Sequence, residues 1–209
     1  MSTKANIVSV AIALFNEKGI ASVTMRQVAE AMAISPGNLT YHFKTREALM
    51  EVIYAQLHSE SGNYISLDGY ITLHDFEKIL YKFYQLRQTY RFFFNDLVYI
   101  IRQFPTVAKM YQNANIGRFK QSRQLVNYYI TSGRMIQEDE HVDYNKIIHS
   151  IWMINTFWPS QQQIMDTEDY PVNKTTPIAI TWQMIYPYLT ETGKEEYRQI
   201  RKFSNTVNN

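Results

Sequence analysis

An all-α fold is predicted by three features of the chain. Apolar residues recur at i, i+3, i+4 and i+7 in one segment after another, strand-like alternation is missing throughout, and Ser, Thr, Pro and Gly stand at the joints. With 209 residues and 45% hydrophobic content the chain can bury a substantial core. Its 21 basic and 19 acidic residues leave a net charge of only +2, so the molecule as a whole offers nucleic acid no strong attraction. The first fifty residues are more basic, with Lys4, Lys18, Arg26, Lys44 and Arg46 against Glu17, Glu30 and Glu47.

The first helix carries Ile7, Val10, Ala11, Leu14 and Phe15 on one stripe and should end near Lys18, with Gly19 placed to terminate it. That helical spacing, and Asn16-Glu17-Lys18 where a small-residue cleavage site would stand, speak against a signal peptide. Thr24 and Gln27 form a capping-box pattern, so a helix starts at Met25, with Met25, Val28, Ala29 and Met32 inward. Ser35 and Pro36 read as the next N-cap and first helical residue, opening a two-turn helix to His42. Helix, three-residue turn, helix is helix-turn-helix spacing.

Thr45 caps a fourth helix over 46–61 with Leu49, Ile53 and Leu57 on one side. Thr72 caps a fifth bearing Phe76, Ile79, Leu80, Phe83 and Tyr90. Between Phe92 and Phe104 the apolar residues respect no single face, which predicts one helix buried all round. Pro105 opens a long helix ending about Gly133, where Gly117 suggests close packing or a bend. Asp143 caps a helix that should end near Pro159, residues 161–175 read as an exposed loop, and Thr176-Pro177 opens a helix shortened or kinked by Pro187. An amphipathic turn or two around Tyr197 and Ile200 closes the chain.

In the short helix beginning at Pro36 only Leu39 and Phe43 face inward. The other side presents Asn38, Thr40, Tyr41 and His42, bracketed by Arg26, Lys44 and Arg46, a mixture suited to a major groove and its flanking phosphates. Asn38, Thr40 and Tyr41 are the candidate base readers, with Pro36 and Gly37 letting the backbone approach. His42, Lys44 and Arg46 suit phosphates, helped by backbone N–H groups at the helix starts near Thr24 and Thr45, and Ser35 joins the candidate DNA-binding residues.

Leu14, Phe15, Gly19, Thr24, Val28, Ala29, Ile34, Ser35, Gly37, Leu39, His42, Phe43 and Arg46 resemble the N-terminal signature of the TetR (tetracycline repressor-like) transcriptional regulators. The runs YRFFFNDLVYIIRQFP and IWMINTFWPS are similar to the C-terminal half of a subgroup of these proteins. One departure is Thr40, with Tyr41 beside it, where the family usually has the first Tyr of a Tyr-x-His pair.

The resemblance implies a helix-turn-helix DNA-binding domain over 1–45 and a helical regulatory domain over 46–209 that holds a ligand pocket and makes a dimer. It implies a base or phosphate contact for Arg26. It points to an effector pocket lined by Phe83, Phe93, Phe94, Tyr111, Tyr128, Trp152 and Trp158, and a homodimer interface at Ile151, Trp182, Ile185 and Leu189. The expected partners are a palindromic double-stranded DNA operator, a second copy and a small apolar or amphipathic effector, which releases a repressor.

No cofactor is expected. Cysteine is absent, and the histidines at 42, 58, 74, 141 and 149 form no i, i+4 pair. Phosphate-binding, dinucleotide and nucleophile-turn motifs are missing too, so the chain does not read as an enzyme. No run reaches the roughly 18–20 apolar residues of a membrane span, and the chain reads as soluble and cytoplasmic. The alternative is a helical module that binds a protein or a hydrophobic ligand without sequence-specific gene control.

Overall fold

The computed structural model describes residues 2–62, 69–165, 167 and 175–207, with side chains to residue 202. The elements are α1 (Thr3–Lys18), α2 (Met25–Ala31), α3 (Pro36–His42), α4 (Arg46–Ser61), α5 (Leu73–Thr89), α6 (Arg91–Asn95), α7 (Leu97–Gln103), α8 (Pro105–Thr131), α9 (Tyr144–Met165), α10 (Pro177–Ile185) and α11 (Glu191–Val207). Short 3-10 turns occupy Ile20–Ser22 and Tyr186–Tyr188. Among the described residues there is no strand, only an isolated bridge between Met135 and Leu189. None of the described helices is long and apolar enough to cross a membrane.

The chain packs as two compact units, Met1–Gly62 with Leu86–Ala114, and Asn63–Gln85 with Asn115–Asn209. In the first, α1 packs on α2, α4 and α6. Ile7, Ala11, Phe15, Ile20, Val28, Leu39, Phe43, Leu49, Ile53 and Phe93 are all buried in its core. The stop and start signals work as their chemistry predicts. Gly19 ends α1 at φ 75, Thr24 and Gln27 close a reciprocal capping box, and Ser35, Thr45 and Thr176 each accept an N–H in the first turn of their helices.

The stretch 92–104 departs from expectation. It forms two short helices, α6 and α7, interrupted at Asp96 (φ −103, ψ 20), and Val98 is exposed, so it is neither one helix nor buried all round. Aromatic crowding reports burial of the set and hides a backbone break that lets only part of each turn face inward.

In the second unit α9 packs against α10 across a buried polar contact, with Asn155 Nδ2 donating to Thr181 Oγ1 at 3.1 Å and Thr181 Oγ1 donating to the Pro177 carbonyl at 2.7 Å. Contrary to expectation α9 runs past Pro159 to Met165, and 161–165 is helix, not loop. Burial of Trp158 and Pro159 holds the helix together across the missing donor. Asp166, Glu168, Asp169, Pro171 and Asn173 lie outside the described residues.

α11 is a 17-residue helix, far longer than a turn or two, because Tyr197 and Ile200 face the unit's core while Glu191, Lys194, Glu195 and Arg198 pair along its outer side. Beyond its own helix backbone and chain neighbours, no heavy atom of a described residue lies within 4 Å of a Cβ added at Gly117, so of the close packing or bend expected there the close packing is not found.

Arg123 donates to Glu138 at 2.6 Å and the Tyr144 N–H donates to the same carboxylate at 3.0 Å. The Arg123 hydrogen bond holds the Glu138 carboxyl down at about 2, against an ordinary 4.5. A depressed folded-state value stabilises the fold above 4.5, and the contribution fades as pH falls from there towards 2. Glu138→Gln should therefore destabilise the fold at neutral pH by at most about 1 kcal/mol, because the pair faces solvent, and lower the unfolding temperature accordingly. The gap from wild type should close in acid, and thermal melts from pH 7 downwards check it. A gap independent of pH would remove the ion pair as its cause.

Candidate nucleic-acid interface

α3 packs on α2 and is anchored by Leu39 and Phe43, both buried in the core of the first unit. Between α2 and α3 the chain turns through Ala33, whose φ of 53 is left-handed, while Met32, Ala33 and Ile34 donate back to carbonyls of the last turn of α2. These anchors fix which side of α3 faces water. Ser35, Pro36, Gly37, Asn38, Thr40 and Tyr41 are exposed, Tyr41 at 83%, and His42 is half-buried beneath the edge of the Tyr41 ring at 5.2 Å.

The exposed groups are not equally available. Ser35 Oγ accepts the Asn38 N–H at 3.1 Å and Thr40 Oγ1 donates to the Pro36 carbonyl at 2.9 Å. Thr40 therefore offers a methyl group and lone pairs outward, with its proton engaged. Thr24 accepts the Gln27 N–H at 3.2 Å. Arg26 is exposed and pairs with Glu30 at 2.8 Å one turn along α2, so its fork must leave that carboxylate to engage a base or phosphate. Lys44 stands exposed just past α3.

Arg46 does not join this surface, contrary to the phosphate role read from its position. Its Nη2 donates to the Ile20 carbonyl, its guanidinium lies over the rings of Phe15 (5.8 Å) and Phe104 (6.0 Å), and its Nε is buried. Sequence spacing placed it beside Lys44, but its ring partners come from residues 31 positions earlier and 58 later, beyond the reach of local pattern.

The seven aromatic pocket candidates divide between the units. Phe93, Phe94 and Tyr111 are buried in the core of the first. The other four belong to the second unit, where Phe83 faces Arg118 at 5.7 Å and Tyr128 accepts the Ile71 N–H at 3.1 Å. Trp152 donates to Asn115 at 3.0 Å beside Phe119 and His149, and Trp158 is buried with its Nε1 unpaired. A surface groove along α10 and α11, lined by Tyr186, Tyr197, Arg198 and Arg201 among others, includes none of the seven.

Of the expected dimer anchors, Trp182, Ile185 and Leu189 are buried inside their own unit, Trp182 between Phe76 (5.5 Å) and Tyr197 (4.8 Å), and so present no free surface. Ile151 is half-buried against the same core. An apolar stripe identifies a buried face without saying whose atoms bury it. The exposed apolar residues of α9 are Met153, Phe157, Ile164 and Met165, which the spacing of the stripe does not single out.

Residues 53–197 match the family model described as a bacterial transcriptional repressor, TetR, and residues 7–53 match that of the bacterial regulatory proteins of the tetR family. The chain belongs to the TetR family. Among curated TetR-like relatives, the HTH-type transcriptional regulator UidR of Escherichia coli K12 is 39% identical over 54 residues, 26% of this chain and 28% of UidR. The match thus spans little more than a quarter of that relative.

The likeness in fold extends well beyond the stretch matched to UidR. A TetR-family transcriptional regulator from Marinobacter aquaeolei superimposes with a TM-score of 0.86 at 24% identity, covering 97% of this chain and 98% of that one. SmeT in its triclosan complex gives a TM-score of 0.63 at 13% identity over 91% and 93% of the two chains.

Proposed function

We propose that this TetR-family regulator reads a palindromic DNA operator through α3 and represses transcription until a small apolar or amphipathic effector releases it. Residues 1–45 form the DNA-reading part and 46–209 the regulatory part, in a cytoplasmic protein without catalytic activity. The observation that carries the reading is the orientation of α3, with Leu39 and Phe43 rooted in the core and Asn38, Thr40 and Tyr41 turned to water. Asn38 suits the N6 and N7 edge of adenine, the Thr40 methyl group suits that of thymine, and Lys44 and Arg26 suit phosphates or guanine.

The second copy docks through the outer face of α9. Met153, Phe157 and Ile164 fall on one side of that helix at i, i+4 and i+11, an exposed apolar face of the kind that marks an association surface. A two-fold dimer places its recognition helices about 34–36 Å apart, on successive major grooves of one DNA face. The fold shared with SmeT, whose structure holds triclosan, supports a small apolar effector. Such a ligand acts by favouring dimers whose recognition helices are spaced wrongly for adjacent grooves, with α4 carrying the movement.

Selection of bound duplexes from a random pool tests the proposal. An inverted repeat is expected, and a pool that stays random would overturn it in favour of a module that does not read sequence. On the recovered duplex, Asn38→Ala and Tyr41→Phe should each reduce preference over random DNA by about 1–3 kcal/mol. Lys44→Ala should weaken binding to both duplexes alike and shrink the log–log salt slope by about 0.9 for each phosphate the protein no longer neutralises. Gel-shift titrations at several salt concentrations read both quantities, and identical behaviour of the two classes of variant would count against the roles assigned.

A further inference from the structure

The run α5–α6–α7 is broken twice, the first break held by the end of α1 and the second by the 3-10 turn that follows it. At the first, Tyr90 leaves the helical region (φ −109, ψ 40) between Thr89 and Arg91, and at the second Asp96 does the same between α6 and α7. Each break strands backbone groups that a continuous helix would pair.

At the first break the Asn16 amide bridges the gap. Its Nδ2 donates to the Thr89 carbonyl at 2.8 Å while its Oδ1 accepts the Phe92 N–H at 2.9 Å. One side chain thus serves the last residue of α5 and the opening turn of α6. Arg91 answers from α6, donating to the Asn16 carbonyl at 3.3 Å, and the Phe15 and Phe92 rings meet at 5.2 Å.

At the second break Asp96 Oδ2 accepts the Ile20 N–H at 3.2 Å, the first residue of the 3-10 turn that leads into α2. The Ile20 carbonyl is taken by Arg46 at the start of α4. A single peptide segment between α1 and α2 is therefore held on its N–H side by α6–α7 and on its C=O side by α4.

We infer that Asn16 and Asp96 are positioning residues for the recognition helix. This rests on the DNA-reading proposal above. They touch no DNA. They fix the junction from which α2 and α3 depart against α6 and the start of α7 through four hydrogen bonds and one aromatic pair, and so set the position from which the recognition helix is presented. Bulk apolar packing alone would let the junction slide. Hydrogen bonds to backbone groups at helix breaks set its register, because a small shift breaks their geometry and leaves the part-buried N–H groups of Ile20 and Phe92 without an acceptor.

The test uses the duplex recovered by selection with wild-type protein, together with duplexes whose half-site spacer is one or two base pairs longer or shorter. Wild type should prefer its own spacer, and Asn16→Ala and Asp96→Ala should each flatten that preference by about 5-fold or more. Base preference within a half-site should be unchanged. Asp96→Asn keeps an acceptor oxygen for Ile20 and should behave like wild type. Asn16→Asp loses the donor to Thr89 and should behave like Asn16→Ala. A purely structural role would lower the unfolding temperature without altering the spacer profile.

Hydrogen exchange on the wild type is independent of whether any variant folds. The amides of Ile20 and Phe92 should gain protection together when the duplex binds, and no change at either would overturn the inference. Folded alanine variants with a wild-type spacer profile would overturn it while leaving the DNA-reading proposal intact. A wild type that selects no repeat removes that proposal, and this inference falls with it.

Discussion

Glu196→Ala is expected to destabilise the chain by about 3–5 kcal/mol, because it strips the partner from a buried cation. Arg134 is only 4% exposed, and its Nε lies 2.7 Å from Glu196 Oε2. The other carboxylate oxygen accepts the Leu73 N–H at 2.7 Å, so the same side chain tends the first turn of α5. With Glu196 gone, the side-chain partner left to the guanidinium among the described residues is Tyr70, whose hydroxyl it meets and whose ring lies 4.6 Å below it. The Leu73 donor loses its acceptor as well.

The site cannot relax easily. The Thr190 N–H donates to the Arg134 carbonyl at 3.0 Å, and a Cβ at Gly193 would stand 2.3 Å from that same oxygen, so α11 is already pressed against the turn after α8. Glu196→Gln retains an acceptor for Leu73 and should lose less. Replacing the pair together, Arg134→Met with Glu196→Leu, should recover much of the loss, since no charge is then left buried. Urea unfolding of the four proteins measures the series. A Glu196→Ala loss below about 1 kcal/mol would mean that water reaches Arg134 and screens it.

What was legible in the sequence was what local chemistry decides. Thr24 with Gln27, Ser35 with Pro36, Thr45, and Thr176 with Pro177 satisfy backbone groups within four residues, so their pattern names the helix starts without any tertiary information. Leu39 and Phe43 fix the outward side of α3 by the same local logic. Arg46 was misplaced because its environment is assembled from Phe15, Ile20 and Phe104. Asn16 and Asp96 gave no signal at all. An asparagine near a helix end and an aspartate in an aromatic run look like surface residues until the chain brings them to each other's helices. Pro159 misled in the opposite direction, since a local rule for ending a helix was overridden by burial on α9.

The same distinction between local pattern and assembled environment bears on Phe93, where Phe93→Ala should cost about 3–5 kcal/mol of stability with no ligand present. Its ring is fully buried, with Tyr54, Phe94, Tyr111 and Phe92 at centroid distances of 5.4, 5.5, 5.8 and 6.4 Å. Truncation removes a side chain that all four rings contact, and a close-packed aromatic cluster collapses poorly onto the space left. Phe93→Leu keeps most of the volume and should lose far less, within about 1.5 kcal/mol plus the aromatic pairing. A residue whose main task is to line an effector pocket behaves differently, because its ring already borders open space and its removal enlarges a cavity that is tolerated in the unliganded protein. Phe83, half-buried under Arg118, is the control within the same aromatic set, and Phe83→Ala should shift the denaturation midpoint much less. Equal losses for Phe83→Ala and Phe93→Ala would show that burial does not separate the two, and a small loss at Phe93 would return it to the pocket-lining role that the family resemblance implied.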